Sequence, residues 1–190
     1  MVIERPASIS ALVLDIDGVL TDGTFAFTAD GRETKRLCFR DLDAIGAARR
    51  AGLRLALLTG ESNDLARSIA ERFGITNIVT GAKDKAEALR AYAERERLQL
   101  AEICYIGDGD RDAQALAIAG IGLAPADGSG AARKAAARIL SARGGEGVVA
   151  EAVELLLTMR SARSDAAGTP SELASSIQAI VRDSIAAKQR

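Results

Sequence analysis

The 190-residue sequence contains no histidine and no tryptophan. The missing histidine excludes a Ser-His-Asp triad, a histidine general base and the histidine-bearing zinc sites. Acid–base or metal chemistry has to rest on carboxylates, lysine or tyrosine. Aromatic residues make up only 3% of the chain, too few for the stacking platforms of a single-strand nucleic-acid binder. Cysteine occurs twice, at Cys38 and Cys104, in no CxxC motif. That sparse usage points to a reduced, cytoplasmic setting rather than a disulfide scaffold. No apolar run approaches the ~18 residues of a membrane span, and the opening MVIERPASIS does not read as a signal peptide. Neither sign of charge is in excess, with 25 Lys plus Arg against 26 Asp plus Glu. No basic footprint for nucleic acid is therefore expected. What is present is 48% hydrophobic and 27% charged residues, the balance of a soluble globular protein large enough to bury a core.

Apolar runs alternate with helical patterns along the chain. Ala11 to Leu14, Leu53 to Leu58, Asn77 to Thr80, Ile103 to Ile106 and Ile121 to Ala124 read as strands, with Arg138 to Leu140 as a last short one. Between and after them, Asp41–Ala51, Asn63–Phe73, Asp84–Arg97, Arg111–Ala119, Ala131–Ala137 and Val148–Met159 read as helices. This alternation predicts an α/β fold, a doubly wound parallel sheet covered on both faces. One segment departs from it. Thr24 to Thr28 and Glu33 to Phe39 flank Asp30-Gly31, a hairpin signal, so a small β-flap is expected at about residues 24–39. Ser161 to Pro170 reads as a polar linker. Beyond it, Ser171 as a cap and Leu173, Ile177, Ile180, Val181 and Ile185 on one face predict an amphipathic tail helix. That tail would pack on its own domain or on a neighbouring subunit. The expected organisation is a core over 1–160 with the flap, then a linker and tail over 161–190.

The chemistry is concentrated at the ends of the predicted strands. Asp15-Ile16-Asp17-Gly18-Val19 follows the first strand. Two carboxylates at i and i+2 would share a side if the strand continued, and they would sit where doubly wound sheets bind ligands. Like charges that close resist ionising together, so they call for a cation or a held proton. With only oxygen ligands available, the fitting cation is Mg²⁺. Thr59-Gly60 ends the second strand and precedes a helix, where a hydroxyl and backbone N–H groups can hold a phosphate oxygen. Lys85 follows the third strand as a point charge for phosphate. Gly107-Asp108-Gly109-Asp110-Arg111-Asp112 ends the fourth, offering Asp108 to a metal and Asp112 to a supporting hydrogen bond. Each signal taken alone also fits a turn, a helix cap or a surface charge. Four successive strand ends carrying suitable groups argue for a phosphate site.

The DxDGV, Thr-Gly, Lys and GDxxxD series, from about Leu12 to Leu157, resembles the haloacid dehalogenase (HAD) superfamily of phosphotransferases. The resemblance implies a Rossmann-like core. It implies Asp15 as nucleophile and Asp17 as general acid and then base. Thr59, Gly60 and Lys85 would bind phosphate. Asp15, Asp108 and the backbone carbonyl of Asp17 would be ligands to Mg²⁺, with Asp112 behind them. Only 44 positions separate Asp15 from Thr59 and 26 separate Thr59 from Lys85, which leaves no room for a large cap domain. The LDIDGVLTDG start, the flap and FRDLDAIG look like the 3-deoxy-D-manno-octulosonate 8-phosphate phosphatase family. By that likeness the substrate is a phosphorylated 3-deoxy-2-keto sugar acid and the enzyme a homotetramer whose neighbouring subunits close the site.

Glu61 and Glu146 lean toward the nine-carbon relative acting on 2-keto-3-deoxynononate 9-phosphate, where the octulosonate enzymes more often show TGR and GGRG. In that relative, basic residues on the helix after TGE hold the sugar-acid carboxylate. Here Arg67 and Arg72 are the candidates, with Ile69 at one expected arginine position. Two further departures are Gly109 in place of the second aspartate of GDD, and Leu42-Asp43 in the segment after Arg40. The competing readings are a non-catalytic assembly domain like those attached to acylneuraminate cytidylyltransferases and, less favoured, a receiver domain or a capped mutase or phosphonatase.

Overall fold

The computed structural model describes residues 8–62 and 64–165. A buried strand, β1 (Ala11–Leu14), leads into a two-stranded flap, β2 (Ala26–Phe27) and β3 (Glu33–Thr34). Five units of helix and strand then follow: α1 (Phe39–Arg50) and β4 (Arg54–Leu58); α2 (Asp64–Phe73) and β5 (Asn77–Val79); α3 (Lys85–Glu96) and β6 (Ile103–Ile106); α4 (Ala113–Ile118) and β7 (Ile121–Ala124); α5 (Gly130–Ala135) and β8 (Arg138–Ile139). A long helix, α6 (Val148–Asp165), completes the described chain.

The six-stranded sheet has the order β5-β4-β1-β6-β7-β8, with every pairing parallel. The expected doubly wound sheet is therefore the observed one, and no cap domain stands among the described residues. Strands buried on both faces read as unbroken apolar runs, and all residues of ALVL and ICYI are buried. Alternate side chains face opposite layers. Leu12, Leu14, Leu57, Cys104 and Ile106 join α1, α2 and α6. Ala11, Val13, Ala56, Leu58, Ile103 and Tyr105 join α3, α4 and α5.

β1 lies between β4 and β6, with Leu14 opposite both Leu57 and Ile106. The chain winds outward from β1 to β5, then crosses back to β6. The carboxyl ends of β1, β4 and β6 thus meet at a topological switch point, the place where such sheets bind ligands.

Some boundaries differ from the sequence reading. The second flap strand stops at Thr34, and Phe39 already opens α1, with the Asp41 N–H donating to the Cys38 carbonyl at 3.1 Å. The first turn of α1 also reaches far along the chain. The Asp41 carboxylate accepts from Gly147 N at 3.2 Å and Ala150 N at 2.9 Å. It satisfies donors at the start of α6, which would otherwise be unpaired. α6 continues through Asp165, so the first residues of the expected linker are helical. Asn63 and the tail expected over 171–190 lie outside the described residues. No helix among the described residues is long and apolar enough to cross a membrane.

Candidate active site

β1 delivers Asp15 to the switch point. Its N–H donates to the Ile106 carbonyl at 3.0 Å, extending the ladder by one residue. The chain then turns sharply. The Ile16 carbonyl accepts from Val19, Leu20 and Thr21 at 3.3, 2.9 and 3.0 Å. The strand therefore does not continue, and the carboxylates of Asp15 and Asp17 enter different surroundings. Asp15 is 4% exposed and pairs with the Lys85 ammonium at 2.6 Å. Asp17 is partly exposed and pairs with Lys35 of the flap at 2.7 Å. The crowding expected between Asp15 and Asp17 is found instead among Asp15, Asp108 and Asp112, which offer oxygens all within 4.8 Å of one another.

Lys85 is the first residue of α3, and the Asp84 side chain caps that helix by accepting from Glu87 N at 2.9 Å. The cap holds Lys85 beneath the strand ends, where its ammonium also reaches Asp112 at 2.8 Å. Asp112 takes hydrogen bonds from the Tyr105 hydroxyl and, at 2.9 Å, from Gly109 N. Asp108 is fixed through its backbone, its carbonyl accepting from Ser129 N at 2.7 Å. Ser129 in turn caps α5.

Three carboxylates surround one ammonium, leaving surplus negative charge in a site largely closed to water. Burial, outweighing the attraction of Lys85 and reinforced by Asp112, raises Asp15 to about 7. Burial and Asp112 likewise raise Asp108 to about 6. For Lys85, burial opposes the charge, but Asp15 and Asp112 outweigh it and hold the ammonium above its ordinary range. A small divalent cation with oxygen ligands fits this donor set, because it would balance the two surplus charges.

The phosphate-side candidates Thr59 and Gly60 follow β4, the strand that pairs with β1. Thr59 is buried. Its hydroxyl oxygen accepts from Glu61 N at 3.1 Å, which leaves its O–H to donate to an anion. Gly60 occupies an open turn, where an added Cβ would meet only ordinary contacts with Ala82 and Arg111. Glu61 is exposed beside this turn. Arg67 is exposed near the start of α2. Arg72 lies in the last turn of α2, which descends toward the start of β5, so it is carried away from the strand ends. Glu146 is exposed, with its carbonyl held by Arg40 at 2.7 Å. The glycines beside it are pressed against the β1 turn: a Cβ on Gly144 would stand 2.0 Å from the Gly18 carbonyl oxygen.

Four contributors escaped the sequence reading. Lys35 belongs to the flap run, where nothing marks it from other lysines. Tyr105 looks like one more strand apolar. Thr21, fully buried, lies 3.4 Å from Asp17 Oδ1 and from Gly18 N. Arg111 reaches toward Gly60 and sits inside the acidic motif, where attention falls on its aspartates.

Comparison with known proteins agrees with this architecture. Residues 34–120 match the family model for haloacid dehalogenase-like hydrolases. The chain is 30% identical over 156 residues to the 3-deoxy-D-manno-octulosonate 8-phosphate phosphatase KdsC of Yersinia pestis, covering 82% of this chain and 83% of the relative. Among solved structures, the 3-deoxy-D-manno-octulosonate 8-phosphate phosphatase of Moraxella catarrhalis, in complex with magnesium ion, phosphate ion and KDO, superposes with a TM-score of 0.77. It is 32% identical over 82% of this chain and 89% of that one. The cobalt-bound deoxy-D-mannose-octulosonate 8-phosphate phosphatase of Haemophilus influenzae has a TM-score of 0.76 and 28% identity, covering 82% and 91%.

Proposed function

Since this chain belongs to the haloacid dehalogenase-like hydrolases, as a capless phosphoric monoester phosphatase, we propose that it is a Mg²⁺-dependent phosphatase of a phosphorylated 3-deoxy-2-keto sugar acid. The first candidate substrate is 3-deoxy-D-manno-octulosonate 8-phosphate, on which the relatives act by name. The observation that carries the reading is the buried Asp15 held by Lys85 within a cluster of three carboxylates. A non-catalytic assembly domain has no need of such a group at its switch point. Glu61 beside the Thr59 turn favours the nine-carbon acid 2-keto-3-deoxynononate 9-phosphate as the second candidate.

In this reading Asp15 attacks phosphorus, and the bond from phosphorus to the leaving oxygen breaks in line. Asp17 gives its proton to that oxygen, releasing the alcohol and leaving an aspartyl-phosphate. Asp17 then takes a proton from water as the water oxygen attacks phosphorus, which frees Asp15 and inorganic phosphate. Thr59, Gly60 and Lys85 hold the equatorial oxygens. Asp112 keeps Lys85 in place and is itself fixed by Tyr105 and Gly109. Asp15, Asp108 and the Asp17 carbonyl would hold Mg²⁺, which when bound offsets charge on the phosphoryl oxygens and keeps Asp15 ionised.

The small site needs a cover against water, and the flap with a neighbouring subunit provides it in this proposal. Phe25, Phe27 and Phe39 are 60%, 68% and 75% exposed. Phe25 and Phe27 pack edge to face, and an exposed apolar pair of this size suits a subunit contact, consistent with a homotetramer. Cys38 and Cys104 are both free, consistent with a cytoplasmic enzyme.

The test is phosphate release from a panel of eight- and nine-carbon sugar-acid phosphates, with and without Mg²⁺, for wild type and Asp15→Asn. Mg²⁺-dependent release abolished by Asp15→Asn is expected, and the fastest substrate identifies the chain length. A folded protein that releases no phosphate from any member would overturn the proposal.

A further inference from the structure

Lys35 leaves the flap and ends against Asp17. Its ammonium lies 2.7 Å from Asp17 Oδ1 and 3.1 Å from Glu33 Oε1. The lysine side chain is 7% exposed, whereas that of Asp17 is 34% exposed. An exposed lysine on a hairpin is free to wave in solvent, but this one is nearly closed off and shared between two carboxylates. Burial disfavours its charge, yet the hydrogen bonds and charges of Asp17 and Glu33 outweigh that and keep it protonated. Asp17 Oδ1 also lies within 3.4 Å of the Thr21 hydroxyl. Its other oxygen, Oδ2, makes no hydrogen bond among the described residues.

This arrangement separates two kinds of carboxylate. Asp15, Asp108 and Asp112 converge with Lys85. Asp17, only two residues after Asp15, is held by a different lysine from a different element. The Asp17 carboxylate stands outside the group of oxygens offered by Asp15, Asp108 and Asp112, and a divalent cation held there would attract it. Pairing with Lys35 opposes that attraction, and Glu33 anchors the lysine from its own hairpin.

We infer that Lys35 is a positioning residue: by binding Oδ1 it holds the Asp17 carboxyl group apart from the Asp15–Asp108–Asp112 cluster and leaves Oδ2 to carry the proton that passes to the leaving alcohol. The inference rests on the reading above, in which Asp17 exchanges a proton with the leaving group. It also ties the flap to the chemistry, because Lys35 directly follows β3.

The test compares Lys35→Met and Lys35→Arg with wild type on two substrates. One is the best sugar-acid phosphate, whose alkoxide must be protonated. The other is p-nitrophenyl phosphate, whose leaving group departs without a proton, followed as the first-turnover release of p-nitrophenol so that the later water step does not enter. Lys35→Met is expected to lower kcat on the sugar-acid phosphate by about 10–100-fold, part of the usual worth of a placed acid, with KM within about threefold. The loss on p-nitrophenyl phosphate should be several-fold smaller, and Lys35→Arg should recover most of the kcat. Equal losses on both substrates, a change in KM alone, or no recovery by arginine would overturn the positioning role.

A thermal-unfolding cycle of Lys35→Met, Asp17→Ala and the double variant tests the pairing without turnover. Shifts that fail to add support it, and additive shifts overturn it. A wild type that hydrolyses no phosphomonoester counts against the proposed function alone, because the cycle still decides whether Lys35 holds Asp17.

Discussion

Gly18 offers a sharp test of how tightly the carboxylate cluster is built. Its φ is +76°, and a Cβ there would stand 2.0 Å from Asp108 Oδ2 and 2.3 Å from its carboxyl carbon. Ordinary contact begins near 3.4 Å, so Gly18→Ala requires Asp108 to retreat by about 1.4 Å. The left-handed backbone adds a strain of roughly 1–2 kcal/mol for any residue with a Cβ. Gly52 separates the two effects. Its φ is +80°, with nothing within 4 Å of an added Cβ, so Gly52→Ala carries the strain without the clash. Gly52→Ala should lose about 2–8 °C in Tm, given 2–4 °C per kcal/mol for a chain of this size, and Gly18→Ala at least as much. Only Gly18→Ala should disturb the site. A displacement of about 1 Å in a reacting constellation costs on the order of 100-fold in rate. The expected result is a loss of that size in kcat/KM and a rise of at least about tenfold in the Mg²⁺ concentration giving half-maximal activity or half-maximal thermal stabilisation. Equal Mg²⁺ dependence and equal activity in the two variants would refute the reasoning that Asp108 is fixed by contact with Gly18.

Other outcomes follow from the same contacts. Asp41→Ala leaves two donors at the start of α6 unpaired and should cost about 2–4 kcal/mol by urea unfolding; a loss below about 0.5 kcal/mol would show that α6 does not depend on this cap. Lys85→Met leaves Asp15 and Asp112 facing each other in the interior and should cost about 3–5 kcal/mol without metal. Added Mg²⁺ should recover part of that loss, and a variant as stable as wild type in chelator would count against the ammonium as the balancing charge. In metal-free protein, Asp15 and Asp108 are raised to about 7 and about 6 from 3.8. The folded state then binds protons more tightly than the unfolded state between these values. The stability they contribute is complete below about pH 4 and is lost as pH rises through 6 and 7. Tm measured in chelator should therefore carry a downward contribution from pH 5 to 8 that Asp15→Asn with Asp108→Asn removes; an unchanged slope in the double variant would refute it.

The strand ends were legible because of how a parallel sheet is built. Strands buried on both faces leave unbroken apolar runs such as ALVL and ICYI, and the first polar residue after each marks its carboxyl end. Asp15, Thr59 and Asp108 could be placed at one edge by that rule, and Lys85 by its position at a helix start. The missing cap was readable from the short intervals around Thr59, since the flap, one helix and one strand already fill the first of them.

What the sequence could not decide was which side chain each of these would meet. DxD suggests two carboxylates facing one another, yet the turn closed on the Ile16 carbonyl sends Asp15 to Lys85 and Asp17 to Lys35. Asp41 reads as the first residue of a predicted helix, but its carboxylate serves the start of another helix more than 100 residues away. Arg72 shares a helix with Arg67, and only the direction of that helix carries it away from the strand ends. Local pattern and periodicity are properties of neighbouring residues, so the chain alone determines them. Ion pairs, caps and the contact of Gly18 with Asp108 join segments that are distant in sequence, and they exist only once the sheet order has brought those segments together.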